Sequence, residues 1–226
     1  MEYYIVDESM DPKVVGTDFP QVYQFIKGYD PHAPHALCSL YDYVDTFPDY
    51  TPELDGLRLS RYAKLTDFVS GGFSSFLYIV SGRVKDLLEN FHLCPHRFYP
   101  LGLYCKGVKH DYFMLQLNSD YSDFVDYPKS KFYEQELFSK KKYGIFEARS
   151  KEHLLQERDK MKHQYGYSHT IWGDDIVMSP SFDRELDLFT ITRIDASLYV
   201  SARLKQAIEE RQLTGWNFKP ATKLFV

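Results

Sequence analysis

The stretches YIVSGRVKDLLENFHLCPHRFYP (residues 78–100) and LYVSARLKQAIEERQLTGWNFKP (residues 198–220) align without a gap, 120 positions apart. Eight aligned pairs are identical: Val80/Val200, Ser81/Ser201, Arg83/Arg203, Lys85/Lys205, Glu89/Glu209, Leu93/Leu213, Phe98/Phe218 and Pro100/Pro220. A fixed offset with matched apolar spacing is typical of a duplicated supersecondary unit. Each copy predicts a short strand, a serine-capped helix of about three turns and a second short strand, with Phe98 and Phe218 as core anchors.

Further strands and one polar helix are predicted outside the two copies. Apolar patterning predicts strands over residues 2–6, 112–117 and 186–192. Ser150 is a candidate N-cap for a polar helix over residues 151–165. Because strands and helices are interspersed, we expect an α+β protein whose two related strand-helix-strand halves pack in one globular unit.

Composition divides the chain near residue 66. Residues 1–66 are rich in Pro, Tyr and Asp, and their prolines argue against long regular elements in residues 11–56. We therefore expect residues 1–66 to form a segment packed on a core made by residues 67–226.

Composition also indicates a folded protein without a membrane partner. Apolar residues make up 44% of the 226 residues, which argues against disorder. No apolar run approaches the roughly 20 residues that cross a bilayer, and residues 1–7 lack the pattern of a signal peptide. The three cysteines are an odd number without disulfide-framework spacing. These features favour a cytoplasmic protein.

Charge is distributed unevenly in this chain of net charge −5. Residues 29–57 hold six acidic residues and residues 111–127 hold four, and neither region contains Lys or Arg. Residues 129–162 reverse the sign, with ten Lys and Arg against six Asp and Glu. An acidic face would attract a basic partner such as a nuclease and speed its association. The alternative is that these regions are solvated loops that maintain solubility.

Tyrosines accompany the acidic residues in both acidic regions. A tyrosine supplies contact area at low entropic cost, whereas a carboxylate steers encounter and pairs with Lys or Arg. Tyrosines also favour strands and cores, so a β-rich interior is the alternative interpretation. The predicted partner-binding surface consists of Tyr41, Asp42, Tyr43, Asp45, Asp49 and Tyr50, joined by Asp120, Asp123 and Asp126.

The phrases FLYIVSGRVKDLLE (residues 76–89), DYFMLQLN (residues 111–118) and SLYVSARLKQAIEERQLTGWNFKP (residues 197–220) together resemble a family of bacterial immunity proteins of polymorphic toxin systems. The resemblance is strongest over residues 67–220 and weak over the first sixty. It implies a cytoplasmic protein that binds and neutralises a cognate protein toxin, by occluding the toxin's active site or substrate groove. It supplies no catalytic residues and no cofactor.

A metal site is the first alternative chemistry. Candidate ligands follow the first helix at His92, Cys94, His96, Cys105 and His110. Thiolate and imidazole ligands suit zinc. However, the second copy carries Gln212, Thr214 and Trp216 at the first three positions, so the unit folds without those ligands. We expect ordinary loop residues here and no metal.

An enzyme is the second alternative. Cys38 lies near His32 and His35, which would suit a Cys/His hydrolase, but no nucleophile-elbow pattern surrounds it. Asp174 and Asp175 could supply two carboxylates for metal or acid chemistry, although a turn in residues 172–175 is the simpler interpretation. No residue set meets the geometric test for a catalytic site, and we predict a non-enzymatic protein.

A nucleic-acid-binding protein is the third alternative. The basic stretch could line a phosphate-contacting face with Lys140, Lys141, Lys142, Arg149, Lys151, Arg158, Lys160 and Lys162. The acidic residues interleaved among them instead favour a solvated helix with i,i+4 ion pairs. We expect no nucleic-acid partner.

Overall fold

A computed structural model of the chain describes residues 2–74, 76–118, 120–137, 139 and 141–226. The strands are β1 (Tyr3–Glu8), β2 (Val22–Phe25), β3 (Asp55–Leu59), β4 (Phe68–Ser74), β5 (Leu77–Ser81), β6 (His96–Cys105), β7 (Val108–Leu117), β8 (Lys131–Glu136), β9 (Lys142–Phe146), β10 (His169–Val177), β11 (Leu188–Ile191), β12 (Asp195–Ser201), β13 (Trp216–Pro220) and β14 (Leu224–Phe225). The α-helices are α1 (Pro12–Val15), α2 (Gly82–Leu88), α3 (Lys151–Tyr165) and α4 (Ala202–Glu210). The predicted α+β fold class is confirmed.

The largest sheet has six strands in the order β2-β3-β6-β7-β5-β4. Its centre is the antiparallel hairpin of β6 and β7, whose register runs from His96 opposite Leu117 to Cys105 opposite Val108. Successive side chains of β7 lie on opposite faces of the sheet, and the neighbours Met114 and Leu115 accordingly belong to two separate buried clusters. The sheet is therefore covered on both faces, as the apolar pattern of residues 112–117 predicts.

The second sheet has the order β11-β12-β1-β13. β1 pairs antiparallel with β12 on one side and with β13 on the other. The first copy has the same arrangement. Its strands β5 and β6 both pair antiparallel with β7, as β12 and β13 pair with β1, and β4 lies outside β5, as β11 lies outside β12. This shared order supports the interpretation of two related halves, which stays a prediction.

The helices of both copies begin in the same way. Ser81 and Ser201 have extended backbone angles, φ −73° and ψ 164° in one and φ −69° and ψ 157° in the other. Each serine side chain accepts a hydrogen bond from the third backbone N–H that follows, which caps the helix. Val84 of α2 and Leu204 of α4 are fully buried in the same cluster. The two helices thus contribute to one core.

The third sheet has the order β14-β10-β8-β9. Helix α3 lies against β10 and buries Leu154. Ser150 accepts from the backbone N–H of His153, which confirms the predicted N-cap of this helix. None of the helices in the described residues has both the length and the apolar character needed to cross a membrane.

One local expectation is corrected. Residues 172–175 are not a turn but lie within β10, which is bulged between Gly173 and Asp175. Residues 11–56 contain short elements, as their prolines predict: α1, β2, a 3₁₀ helix at Leu37–Asp42 and the beginning of β3. Strands from the segment before residue 66 therefore enter sheets that they share with the rest of the chain.

Candidate functional site

The acidic segment, residues 41–50, is fixed to the end of β7 by backbone contacts. Gln116 donates through Nε2 to the carbonyl oxygens of Tyr43 at 2.7 Å and Thr46 at 3.1 Å. Asn118 donates through Nδ2 to the carbonyl oxygen of Asp45 at 2.8 Å. Because side chains of a central strand satisfy these carbonyls, the segment has a defined conformation although it lacks strands.

Arg193 joins the two acidic regions that are predicted to form one surface. Its Nη2 lies 3.1 Å from Asp45 Oδ2, and its Nε lies 2.8 Å from Asp120 Oδ2. Arg193 occupies the turn between β11 and β12, and Ile191 beside it pairs with Asp120. The structure thus brings Asp45 and Asp120 together, but through a cation that belongs to the same chain.

Asp120 and Asp123 are held by a second cation. Lys151 Nζ lies 3.2 Å from Asp120 Oδ2 and 2.9 Å from Asp123 Oδ1. Burial alone would raise the pKa of Asp120, but the hydrogen bond from Ser122 and the charge of Lys151 outweigh it and lower that pKa below its usual value. Asp120 is therefore a charged structural group rather than a free contact residue.

The other predicted residues differ in how accessible they are. Asp126 pairs with Lys129 at 2.7 Å. Tyr50 donates to Ser39 Oγ at 2.8 Å, stacks on the ring of His35 and contacts the edge of Tyr43. These contacts hold both tyrosines half-buried. Their role is to shape the segment.

Tyr41, Asp42 and Asp49 remain available for a partner. All three are exposed, and in the described part of the chain neither Asp42 nor Asp49 has a cation within 4.0 Å. Val44, which lies between them in sequence, exposes 43% of its surface. Sequence reasoning missed Val44 because a single valine gives no signal until its surroundings are known. It also missed Arg193, whose partners lie 73 and 148 positions away.

The candidate metal ligands are not assembled. Cys94 is buried, His92 is exposed toward Asp183, and His96 Nδ1 contacts the carbonyl oxygen of Cys94. Cys105 and His110 lie at the opposite end of the β6–β7 hairpin, about 30 Å away at about 3.3 Å per residue. No group of three or more His, Cys, Asp or Glu that could hold a metal ion occurs among the described residues.

The proposed Cys/His pair has no feature of an activated nucleophile. Burial, followed by the charge of Asp30, raises the pKa of the Cys38 thiol. A catalytic thiol needs the opposite shift, because the thiolate is the reactive species. The ring of His35 is stacked on Tyr50 with the centroids 3.9 Å apart.

The carboxylates of residues 172–175 are neutralised within the chain. Asp174 Oδ1 lies 2.9 Å from Lys142 Nζ and 2.6 Å from Lys223 Nζ. Asp175 Oδ2 lies 2.6 Å from Lys131 Nζ. These pairs stabilise the third sheet and leave no pair of free carboxylates for acid chemistry.

Much of the basic stretch is likewise paired or buried. Lys142 and Lys151 hold carboxylates as described above, and Lys160 pairs with Glu157 at 2.5 Å. Arg158 donates through Nε to the carbonyl oxygen of Ile171 at 2.9 Å, and burial lowers its pKa to about 10. Lys140 lies outside the described residues. Phosphate-contacting side chains of this stretch are thus fewer than the sequence suggests.

Comparison with known proteins gives one informative result. No curated protein matches the chain. A family match covers residues 3–223, which includes the first sixty residues where the sequence resemblance is weak. This chain belongs to the Immunity protein family (Imm11).

Proposed function

We propose that this chain binds a cognate bacterial protein toxin through the acidic segment and neutralises it without catalysis, by covering the toxin's active site or substrate groove. Membership of an immunity protein family supports a role in toxin immunity. The observation that carries the choice of surface is that Asp42, Asp49 and Tyr41 of the acidic segment are exposed, and that neither carboxylate has a cation within 4.0 Å among the described residues.

Charge explains why such a surface suits a basic toxin. Two uncompensated carboxylates attract Lys and Arg during encounter, and nucleases carry such residues where they contact phosphate. Tyr41 and Val44 add apolar area, which excludes water around the charge pairs that form. A nuclease is thus the partner class that this chemistry fits best.

The paired carboxylates have a supporting role in this proposal. Arg193 ties Asp45 to Asp120, and Lys151 ties Asp120 to Asp123. A segment held in one conformation before binding loses less entropy on association. The predicted surface of nine residues therefore divides into contact residues and residues that position them.

The cytoplasm is the proposed compartment. Cys38, Cys94 and Cys105 are all free thiols, which suits a reducing environment. A toxin that acts on intracellular nucleic acid would be met there.

Charge reversal tests the proposal. The variant Asp42→Lys/Asp49→Lys should fold, because both positions are exposed, and should lose rescue of cells that express the toxin encoded beside this gene. Stopped-flow association with the purified toxin should slow by about 10-fold or more at low salt. The matched control is Asp86→Lys/Asp111→Lys, which makes the same charge change at two exposed positions elsewhere. Full protection by the folded Asp42→Lys/Asp49→Lys variant would place the interface on another surface.

A further inference from the structure

A cavity of about 760 Å³ opens between β2, the end of β3 and the turn of the β6–β7 hairpin. It is lined by Gln24, Arg58, Ser60, Arg61, Tyr62 and Lys106, among others. Ligand pockets for small molecules have volumes of roughly 300–1,000 Å³. The cavity thus has the size of a small-molecule site, and it lies outside the acidic segment.

Three cations line this cavity without an acidic partner. Within the described ranges, Arg58, Arg61 and Lys106 have no carboxylate within 4.0 Å. By contrast, Lys109 and Lys131 pair with Asp55 and Asp175. Three like charges around one cavity repel one another unless an anion lies between them.

Ser60 provides an independent observation. The residue is 3% exposed, and its Oγ is the one buried side-chain polar atom in the described residues that has no hydrogen-bond partner. Native proteins satisfy nearly all such groups, and an orphan is expected where a ligand or an ordered water completes the bonding. Ser60 is one of the residues that line the cavity.

Backbone geometry places Lys106 opposite these groups. β3 and β6 run parallel with Arg58 beside Tyr104, so the turn at Lys106 lies beside the residues that follow Arg58. Lys106 has a φ of 50°, in the left-handed region where Asn and Gly are favoured over Lys. A lysine at a position that suits asparagine keeps a positive charge at the mouth of the cavity.

We infer that this cavity binds a small organic phosphate. The two guanidinium groups and Lys106 Nζ match a phosphate group, for which Arg gives bidentate hydrogen bonds and Lys a point charge. Gln24 accepts from Arg58 Nη2 through Oε1, which orients that guanidinium and leaves the Gln24 amide N–H groups for the ligand. The Arg61 guanidinium lies over one face of the Tyr62 ring, 5.1 Å from its centroid, and this ring, 59% exposed, has its opposite face for the organic part. The inference does not depend on toxin binding.

Titration calorimetry of the full chain tests this inference with AMP, glucose 6-phosphate, inorganic phosphate and adenosine as probes. At least one organic phosphate should bind saturably and more tightly than inorganic phosphate, whereas uncharged adenosine should not bind. The variant Arg58→Gln/Lys106→Asn should weaken that binding by about 10-fold or more, because charge-assisted hydrogen bonds are lost. Asparagine suits the left-handed backbone at position 106, so this variant should fold. The control Lys141→Gln/Lys162→Gln removes two charges elsewhere and should bind like the original chain.

Ser60→Ala separates a ligand role from a structural one. Removing an unpaired buried hydroxyl should leave the stability of the free chain equal or slightly higher, while the affinity for the organic phosphate falls. Three results would overturn the inference: no saturable binding of either organic phosphate, equal binding of adenosine, or unchanged binding by Arg58→Gln/Lys106→Asn.

Discussion

Asp67 accepts a hydrogen bond from the backbone N–H of Thr214 at 2.9 Å, across 147 positions of the chain. The strand before the first copy is thereby joined to the loop after the second helix. The reverse contact is also present, since the backbone N–H of His92 donates to Asp187 Oδ2 at 2.9 Å. Asp67 and Asp187, themselves 120 positions apart, also accept from Ser81 and Ser201. Each copy thus donates a backbone N–H to the aspartate that binds the capping serine of the other copy.

Replacing Asp187 by Ala should destabilise the protein strongly. The carboxylate is completely buried and accepts from Arg203 Nε at 2.6 Å as well as from His92 N and Ser201 Oγ. Losing its hydrogen bonds should cost about 3 kcal/mol or more of unfolding free energy, measured by urea denaturation. Asp86→Ala at an exposed site should change it by less than about 0.5 kcal/mol. Equal effects of the two substitutions would contradict this role.

The phenylalanine that recurs in both copies is buried less deeply than the sequence suggests. Phe98 and Phe218 are only half-buried, and each ring is faced by a lysine, Lys85 at 5.7 Å and Lys205 at 5.8 Å. Phe98→Ala should therefore cost about 1–2 kcal/mol rather than the roughly 3–5 kcal/mol of a fully buried ring. Phe189→Ala, at a fully buried position, is the matched comparison in thermal unfolding. A larger loss at Phe98 than at Phe189 would show that the exposed fraction is not decisive.

Arg193→Ala should loosen the acidic segment without unfolding the protein. It removes the bridge between Asp45 and Asp120, and such partly exposed pairs contribute about 1 kcal/mol or less each. Hydrogen exchange of the backbone N–H groups in residues 41–50 should accelerate, and toxin rescue should weaken. Arg149→Ala, an exposed arginine elsewhere, is the control. Unchanged exchange together with full rescue would rule out a positioning role for Arg193.

The protein should lose stability in alkaline solution as tyrosines ionise. Burial, followed by the charges of Asp187 for Tyr3 and Asp67 for Tyr112, raises both pKa values from 10.0 to about 12. The folded state therefore favours the neutral phenols, and their contribution is complete below pH 10 and lost as pH rises through about 12. When the free energy of unfolding in urea is measured against pH, Tyr3→Phe and Tyr112→Phe should each reduce its loss above pH 10. Tyr62→Phe, at an exposed site, should lose as much unfolding free energy above pH 10 as the original chain.

Purified protein should contain no stoichiometric zinc. Cys94 is buried, and Cys105 and His110 lie far along the hairpin from His96. These ligands cannot form one tetrahedral site without rearranging the central strands. Elemental analysis is the measurement. About one zinc per chain, lost on Cys94→Ser, would contradict the prediction and favour the metal-dependent alternative.

The predictable parts of the fold are those with local causes. Ser150 and the helix of residues 151–165 follow from capping and polarity, and Ser81 and Ser201 follow from the repeated pattern. The hairpin of β8 and β9 was missed because its alternating charged residues give a weak strand signal. The pairing of Arg193 with Asp45 could not be predicted, since it depends on which turns the sheets bring together. The sequence therefore indicated the acidic segment but not which carboxylates in it are already neutralised.

The position of β1 determines when, during synthesis, the second sheet can close. β1 lies between β12 and β13, and Tyr3 pairs opposite Ser201. A ribosome that adds about 5–20 residues per second needs roughly 10–40 s between these two positions. Until then the second sheet cannot close, and Asp67 has no Thr214 to bind. Acting as proposed, the chain can neutralise a toxin only once nearly all of its 226 residues have been made, which favours a cell that makes this protein before it makes the toxin.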